Sequence, residues 1–286
     1  MKKKIISLVL AAIMLISLSP RAAADSNSRV VVGADLSEEQ IAQVYELFGV
    51  ERGSVAELRM TNAEERAYLQ GIVSEEQLGS YSISCVYFKL LPEGSGLKVS
   101  CRNVTWCTEE MYVNALATAG ITDAEIIVAA PFEVSGTAAL AGIYKAYEDI
   151  SGVSLDSEQM DAGSKELAVT GGLADEIGSS DAAGIVDEVK GKLNDTASMS
   201  DEELHDEIAE VASRYGVTLT EYQIGQIAEL CRAYEKIDVD AMIERVEKAK
   251  ETMEQISEAK EKTVSFFQWL RNAYIAVRDF FKSLSE

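Results

Sequence analysis

The hydrophobic pattern of the chain changes near residue 150, and this change limits the folds that the chain can adopt. Before that point, short β-branched or apolar runs typical of strands alternate with helical patterns. From Ser154 onward only helical patterns are found, at about 157–177, 181–193, 200–215, 220–236 and, as one long segment, 239–284. The sequence therefore predicts an α+β fold, with an N-terminal mixed strand/helix domain at 25–150 and an all-helical C-terminal domain at 151–286 that ends in a long helix.

Four strands are predicted in the first part of the chain, at 29–33, 82–91, 97–105 and 124–130. The second and third are joined by the turn-rich sequence PEGSG, which predicts a β-hairpin. The fourth, AEIIVAA, is a continuous apolar run of the kind that is buried on both faces of a sheet. We expect Pro131 to end this strand and Ser135 to cap a helix that runs from Gly136 to about Asp149.

The first helix is predicted from its start signal and its periodicity. Ser37 and Gln40 have the spacing of a capping box. Apolar residues then recur on one face as far as Phe48, and Gly49 follows. We therefore predict a helix that begins after Ser37 and ends at about Phe48.

The segment 239–284 has the clearest periodicity in the chain. Two series with a spacing of seven residues start at Val239 and Met242, and twelve of their fourteen positions are apolar or aromatic. A period of 3.5 residues is typical of a coiled-coil seam between helices. The seam predicts packing against the chain's own helices for part of its length, with self-association as the alternative.

Aromatic and basic residues are concentrated in the last turns of this segment. Arg271, Arg278 and Lys282 lie between the aromatic residues. This pattern is typical of helices that lie at a membrane surface, and also of terminal helices that dock onto a protein core. The residues predicted to contact a partner or a membrane surface are Phe266, Phe267, Trp269, Leu270, Tyr274, Phe280 and Phe281.

The first 24 residues have the layout of a secretory signal peptide. Three lysines precede an apolar run at 5–19, and Ala22, Ala23 and Ala24 come directly before Asp25. Because the apolar run is shorter than the roughly 20 residues of a transmembrane helix, we expect cleavage rather than anchoring. The protein is therefore predicted to be secreted, or to remain extracellular or in the cell envelope, after cleavage near Ala24.

The charge of the chain excludes some classes of partner. Removal of the leader would leave 22 of the 26 basic residues against 48 acidic ones. Since affinity for phosphate comes mainly from basic side chains, we do not expect nucleic acid to bind. An acidic surface favours solubility and cationic partners, and no loop has the carboxylate spacing of an EF-hand.

The four cysteines are compatible with more than one redox state. Cys101 and Cys107 would lie about 20 Å apart in one extended strand, too far for a disulfide. Cys85 could reach either of them across the predicted hairpin, so one such bond and four free thiols both stay open. Cys231 falls among the apolar positions of a helix and is predicted to be a buried free thiol.

Groups that serve as general bases are scarce. His205 is the only histidine, and it lies among carboxylates beside the apolar stripe of its helix, so we expect it to be solvated. The chain has no GxSxG, GxGxxG or P-loop motif and no Cys-x-x-Cys pair. We therefore predict no catalytic residue, no cofactor and no metal site.

The segment APFEVSGTAALAG, which starts at Ala130, is the strongest candidate for a ligand site. A strand ends there and a helix begins with small residues and free backbone amides, so Ser135, Gly136 and Thr137, with Glu133 nearby, could hold an anion or a small ligand. Ser135 could also be a nucleophile with Lys145 or a carboxylate as its base. The simpler alternative is a helix cap with close helix–sheet packing.

Several motifs resemble those of one known family. These are VVVGADLSEEQ, ELFGV, the run from NVTWCTEEM to PFEVSGTAAL, and YGVTLTEYQIGQI. Together they resemble the YpuA-like family of secreted proteins, also called domain of unknown function 1002, which occurs mostly in Gram-positive bacteria. The resemblance covers nearly the whole chain after the leader. It implies export, and it implies no catalytic residue because the family has no established activity.

The sequence favours a non-catalytic extracellular or cell-envelope interaction protein. This hypothesis rests on the lack of general-base chemistry beside extensive helical seams. One alternative is a membrane-surface module that uses the aromatic C-terminal helix. Another is a small-ligand or anion binder, or a hydrolase, centred on Ser135, Gly136 and Thr137.

Overall fold

The computed structural model describes the backbone of residues 25–283. It describes the side chains of residues 25–259 apart from Glu76, together with those of Gln268 and Arg271. The predicted leader and the aromatic side chains of the C-terminal segment lie outside these described residues.

One mixed sheet forms the centre of the N-terminal part. Its strands are β1 (Ser28–Gly33), β2 (Ala56–Met60), β3 (Cys85–Leu90), β4 (Leu97–Val104) and β5 (Ala124–Val134), in the order β2-β1-β3-β5-β4. Strand β3 is antiparallel to both of its neighbours, and the other two pairs are parallel. The carboxyl ends of β1, β2, β4 and β5 therefore meet at one edge of the sheet.

Helices make up most of the rest of the described chain. They are α1 (Glu38–Phe48), α2 (Asn62–Leu69), α3 (Glu75–Leu78), α4 (Glu109–Thr118), α5 (Thr137–Ser151), α6 (Ser157–Ile177), α7 (Ser179–Gly191), α8 (Leu193–Thr196), α9 (Asp201–Arg214), α10 (Glu221–Tyr234) and α11 (Val239–Ser283). Within the described range every strand comes before Ser135, so the α+β class is confirmed. The division into domains at 25–150 and 151–286 stays a prediction.

The predicted β-hairpin is wrong, because β5 lies between β3 and β4. Cys85 of β3 is opposite Ala129 of β5, and Cys101 of β4 is opposite Val128. Both edges of this buried strand need hydrogen-bond partners, and β3 and β4 supply one edge each. The PEGSG segment instead crosses the start of β5, where the Gly96 amide donates to Asp123 Oδ1 at 2.8 Å.

Strand β5 is also longer than predicted, since it continues through Pro131 to Val134. The register with β4 shifts between Arg102 and Val104, and pairing resumes with Val104 opposite Val134. Asn103 lies at this bulge with φ +57°, and its Nδ2 donates to Ala130 O at 2.8 Å. The bulge therefore accommodates the proline, which has no amide hydrogen to donate.

All four cysteines are free thiols. Because β5 separates β3 from β4, Cys85 and Cys101 lie two strands apart, about 9.5 Å at the usual spacing. This distance exceeds the roughly 7 Å limit for a disulfide, so the predicted reach of Cys85 across a hairpin does not exist. Cys231 is buried, as predicted.

The two faces of the sheet are covered by different layers. Val30 and Val32 of β1 pack with α1 in a small cluster, whereas Val31 faces the main core on the other side. Helix α1 begins with the predicted capping box, in which Gln40 N donates to Ser37 Oγ and Ser37 N donates to Gln40 Oε1. Helices α4 and α5 cover the opposite face and join the C-terminal helices in one continuous apolar core.

A glycine allows α4 and α6 to pack very closely. A Cβ atom on Gly163 would lie 2.4 Å from the carbonyl oxygen of Ala115. Farther along α6, Trp106 packs against Gly171, and its indole Nε1 donates to Asp175 Oδ2 at 2.9 Å. These contacts join α4, which lies between β4 and β5, and the segment before it to α6, the first helix of the C-terminal part.

A buried ion pair lies where the helices meet. Lys190 of α7 pairs with Glu166 of α6, and both side chains are at most 3% exposed. Thr118 of α4 donates to Glu166 Oε2 at 2.6 Å, and the Lys190 ammonium lies 5.3 Å from the ring centroid of Tyr234 on α10. Four helices therefore converge on one pair of charges.

The long helix α11 packs against the body over its first part. Arg245 Nε donates to the carbonyl oxygen of Ala117 at the end of α4, at 2.9 Å, and Lys250 pairs with Asp187 of α7 at 2.8 Å. Met242, Val246 and Ala249 are buried, as the periodicity predicts. Packing against the chain's own helices over part of the length is confirmed, whereas self-association stays a prediction.

The ion pair predicts a distinctive stability pattern. We expect Glu166→Gln to lower the free energy of unfolding by about 3–5 kcal/mol, because it leaves the Lys190 charge buried without a counter-charge. We expect replacement of the whole set, Glu166→Leu with Lys190→Met and Thr118→Val, to cost much less than the sum of the single changes.

Urea unfolding of Glu166→Gln, of each single change in the set and of the triple variant measures this difference. A loss below about 1 kcal/mol in both Glu166→Gln and Lys190→Met would mean that the pair contributes no more than a surface ion pair.

Candidate functional site

An open groove of about 840 Å³ lies between the segment that follows α2 and two helices of the C-terminal part. One wall is formed by residues 71–77, and the other by residues of α6 and α10 within 165–176 and 221–230. This volume is within the usual range of ligand pockets, roughly 300–1,000 Å³. The groove therefore has the size of a binding site and lies at the junction of the sheet-containing and helical parts.

Two glycines in helix interiors open this groove. A Cβ atom on Gly172 of α6, or on Gly225 of α10, would meet no other heavy atom within 4 Å. Gly171 differs, because a Cβ atom there would lie 2.4 Å from the Trp106 ring. A glycine in a helix interior costs roughly 0.5–1 kcal/mol relative to alanine. Packing within the protein explains Gly171, and it does not explain Gly172 or Gly225.

Polar contacts hold the groove walls in position. Gln223 of α10 is buried, and its Nε2 donates to Glu176 Oε2 of α6 at 2.7 Å. On the opposite wall, Arg66 pairs with Glu75 at 2.8 Å and also donates to the carbonyl oxygen of Gly79. The two helical sides of the groove and the loop that faces them are therefore each fixed by internal hydrogen bonds.

The predicted helix cap at Ser135 is wrong. Helix α5 begins at Thr137, and Gly136 is the N-cap residue, with no side-chain hydrogen bond to the helix. The turn is made at Gly136, which has φ +101°, a region that favours glycine. A side chain there would also lie within 2.5 Å of Val104 and 2.7 Å of the Tyr112 hydroxyl. The longer β5 therefore moves the turn past Ser135.

The segment Ser135–Thr137 is covered by α3 rather than exposed in a cleft. Thr137 is buried, and its hydroxyl donates to the carbonyl oxygen of Gln77 at 3.0 Å. The Ser135 hydroxyl also donates to Gln77 O, at 3.4 Å. Gln77 lines the groove, so the segment lies directly behind one groove wall. Ligand binding by Ser135, Gly136 and Thr137 stays a prediction.

The structure does not bring the other proposed groups to Ser135. Glu133 is exposed on β5. Lys145 Nζ instead pairs with Glu64 at 2.5 Å and donates to the carbonyl oxygen of Arg59. A base beside Ser135 is therefore lacking among the described side chains.

The thiols and the histidine are poorly suited to nucleophilic chemistry. Burial raises the pKa of all four cysteine thiols, Cys85, Cys101, Cys107 and Cys231, to about 12. They are therefore neutral near pH 7 and weakly nucleophilic. His205 lies on α9 beside the buried Leu204, as the sequence predicted, but it is half-buried rather than fully solvated, and no hydrogen bond links it to a hydroxyl or thiol among the described residues.

A second polar site, the Glu65 cluster, consists of Asp35, Asn62, Glu65 and Ser82 near the carboxyl ends of β1 and β2. Glu65 is fully buried, and neither of its carboxylate oxygens has a hydrogen-bond partner among the described residues. Burial raises its pKa from 4.5 to about 7, against smaller lowering effects of the Asn62 side chain and the Arg66 charge, and the Asp35 charge adds slightly to the rise. Asp35 in turn accepts from the Ser82 amide at 2.8 Å.

Sequence reasoning missed both the groove and the Glu65 cluster. The groove combines three segments that are far apart in the chain, so no local motif predicts it. The only available signal was two glycines, Gly172 and Gly225, inside strongly helical patterns. Glu65 lies in the helical run NAEERAYLQ, where its burial is not visible because it stands between the charged residues Glu64 and Arg66.

The seven residues predicted to contact a partner or membrane, from Phe266 to Phe281, have side chains outside the described residues. Their backbone belongs to α11. Membrane contact through them therefore stays a prediction. Among the described helices, none combines the length and apolarity that a membrane span requires.

The fold is α+β, and an open groove lies between its sheet-containing and helical parts. A family described as "Protein of unknown function (DUF1002)" matches residues 32–256. The "Uncharacterized protein YpuA" of Bacillus subtilis (strain 168) is 34% identical over 289 residues, which cover 97% of this chain and 99% of that protein. The chain therefore belongs to the DUF1002 family, and no solved structure gives a significant match.

The Glu65 cluster predicts that stability falls as pH rises. The folded-state pKa of about 7 lies above the ordinary value of 4.5, so the folded protein binds more protons between these values. Its stability should decrease through this window and level off above it, by at most about 3 kcal/mol. Glu65→Gln carries no such proton and should be more stable than wild type at about pH 8, with little difference near pH 4.

Urea unfolding at several pH values tests this prediction. Glu46→Gln, a change at an exposed position on α1, is the control and should follow the wild-type curve. The same pH dependence in wild type and Glu65→Gln would contradict the assignment to Glu65.

Proposed function

We propose that the protein is exported and acts by binding a segment of a partner in the groove rather than by catalysis. The partner is a protein or another component of the extracellular space or cell envelope. The single observation that carries the proposal is the groove itself, with Gly172 and Gly225 open on its helical walls.

Gly172 and Gly225 support binding because each lowers the stability of its helix and no contact inside the protein offsets this loss. Replacement by alanine at either position would meet no atom and would favour the helix. A bound partner would account for both glycines, since a residue without a side chain lets the partner's backbone approach the helix closely. The groove also has both walls tied by internal hydrogen bonds, so little ordering is required when a partner binds.

A non-catalytic role agrees with the chemistry of the described side chains. The thiols are neutral, and Ser135 donates to a backbone carbonyl and has no base beside it. The groove is lined by glutamates, a lysine, glutamines, a tyrosine and Ser74, whose hydroxyl donates to the amide oxygen of Gln77 at 2.7 Å rather than to a base.

Filling the groove is the direct test of binding. Peptides selected from a random library against the purified chain starting at Asp25 should bind wild type and lose about tenfold or more in affinity for Gly172→Trp, because the indole occupies the groove. The smaller change Gly172→Ala should weaken binding less than Gly172→Trp, because it adds only one methyl group to the groove, and it should unfold at a free energy up to about 1 kcal/mol higher.

Fluorescence anisotropy measures the affinities, and urea unfolding confirms that both variants are folded. Selected peptides that bind Gly172→Trp as tightly as wild type would place binding elsewhere and remove the groove from the proposal.

Export is tested by the identity of the mature N-terminus. When the full chain is produced in a Gram-positive host, we expect the protein in the medium or the cell-wall fraction to begin at Asp25. N-terminal sequencing reads this directly. Removal of residues 2–19 should retain the protein inside the cell, and equal export of this variant would contradict the signal-peptide assignment.

A further inference from the structure

We infer that the groove recognises an extended peptide segment with two basic side chains about four residues apart. This inference deepens the proposed function and rests on it. It starts from the charges that line the groove and from the distances between them.

The basic groups in and near the groove are already neutralised by the protein's own carboxylates. Lys165 pairs with Asp161 at 2.9 Å, and Arg66, next to the groove, pairs with Glu75. Glu221 and Glu229, by contrast, are exposed, line the groove and form no ion pair among the described residues. The groove therefore presents two carboxylates without an ion pair on α10, and Glu176 of α6 adds a third, which accepts a hydrogen bond from the Gln223 amide.

The distance between these carboxylates determines the spacing of a ligand's charges. Glu221 and Glu229 are eight residues apart on α10, which corresponds to about 12 Å along the helix axis. An extended peptide advances about 3.3 Å per residue, so side chains about four residues apart span the same distance. Residues four apart also point to the same side of an extended chain, so both basic groups can face α10.

An exposed aromatic ring lies next to Glu221. Tyr222 lines the groove and is 74% exposed. Its hydroxyl accepts a hydrogen bond from Gln226 Nε2 at 3.2 Å, which orients the ring along α10. A lysine ammonium or arginine guanidinium binds favourably over such a ring. Tyr222 therefore adds an aromatic cation-binding group to the two carboxylates of α10.

The open glycines explain why the ligand is an extended peptide and not a free cation. Gly71, Gly172 and Gly225 leave space beside the groove walls that no side chain of the protein fills. The groove, at about 840 Å³, is far larger than a single metal ion requires. The backbone of a peptide can occupy this space while its basic side chains reach the carboxylates.

The whole protein is acidic, with a formal net charge of −22. The test must therefore distinguish binding in the groove from attraction to the overall negative charge. The probes are labelled peptides of about ten residues. One has two lysines four positions apart in a Gly/Ser/Thr background, and the others have glutamines or glutamates at those positions. Binding to the purified chain from Asp25 is measured by anisotropy at about 0.15 M salt.

We expect the lysine peptide to bind about tenfold more tightly than the glutamine peptide. The double variant Glu221→Gln/Glu229→Gln should remove this preference, and Tyr222→Ala should weaken it. The matched control Glu46→Gln/Glu51→Gln changes the same charge on the opposite side of the sheet and should preserve the preference. Lysine peptides with spacings of two or six positions should bind less tightly.

Each opposite result has a distinct meaning. Equal weakening by both double variants would assign the preference to the overall negative charge and overturn the inference. Tight binding of glutamine or glutamate peptides that Gly172→Trp abolishes would also overturn it, and the proposed binding function would stand. Failure of every peptide, including those selected from the random library, would remove the binding function itself.

Discussion

The buried pair Glu166–Lys190 is the interaction on which the arrangement of the helices depends. Isolated charges of this kind are very unfavourable in a protein interior, so each side chain requires the other. Glu166 belongs to α6 and Lys190 to α7, while Thr118 of α4 and Tyr234 of α10 complete their surroundings. Any shift of these four helices would separate the two charges and leave each one unpaired in an apolar environment. The pair therefore disfavours any packing of these helices that would leave one charge buried without the other.

This constraint extends to the groove, because α6 and α10 also form its helical walls. Tyr234 is at the end of α10, whose residues 221–230 line the groove, and Glu166 lies within the stretch 165–176 of α6 that also contributes to the groove. The hydrogen bond from Gln223 to Glu176 holds the same two helices together beside the groove. The opposite wall is the segment 71–77, which reaches the carboxyl edge of the sheet through Gln77. A pre-formed cleft is thus a direct consequence of how the sheet and the helices are joined.

Most local elements could be read from the sequence to within a few residues, but strand β2 (Ala56–Met60) and the short helices α3 and α8 were not predicted. The capping box at Ser37, the helix at 157–177 and the seam that starts at Val239 are all found where the pattern indicates, because each depends on neighbours in the chain. Pairing between strands could not be read in this way. The turn-rich PEGSG indicated a hairpin, but β5 has two edges to satisfy and it displaces β3 from β4. The Ser135 cap failed for a related reason, since the bulge at Asn103 carries β5 past Pro131.

The sequence by itself determined the succession of strands and helices apart from β2 and two short helices, the burial of Cys231 and the membership of the DUF1002 family, because periodicity, caps and motifs are local properties. Only the tertiary structure decided the strand order, the covering of Thr137 by Gln77, and the groove between residues 71–77, α6 and α10. It also decided that Glu65 is buried without a hydrogen-bond partner. Burial and clefts arise between segments that are distant in the chain. The free energy of each such contact depends on the residues that face each other across it rather than on the neighbouring residues in sequence.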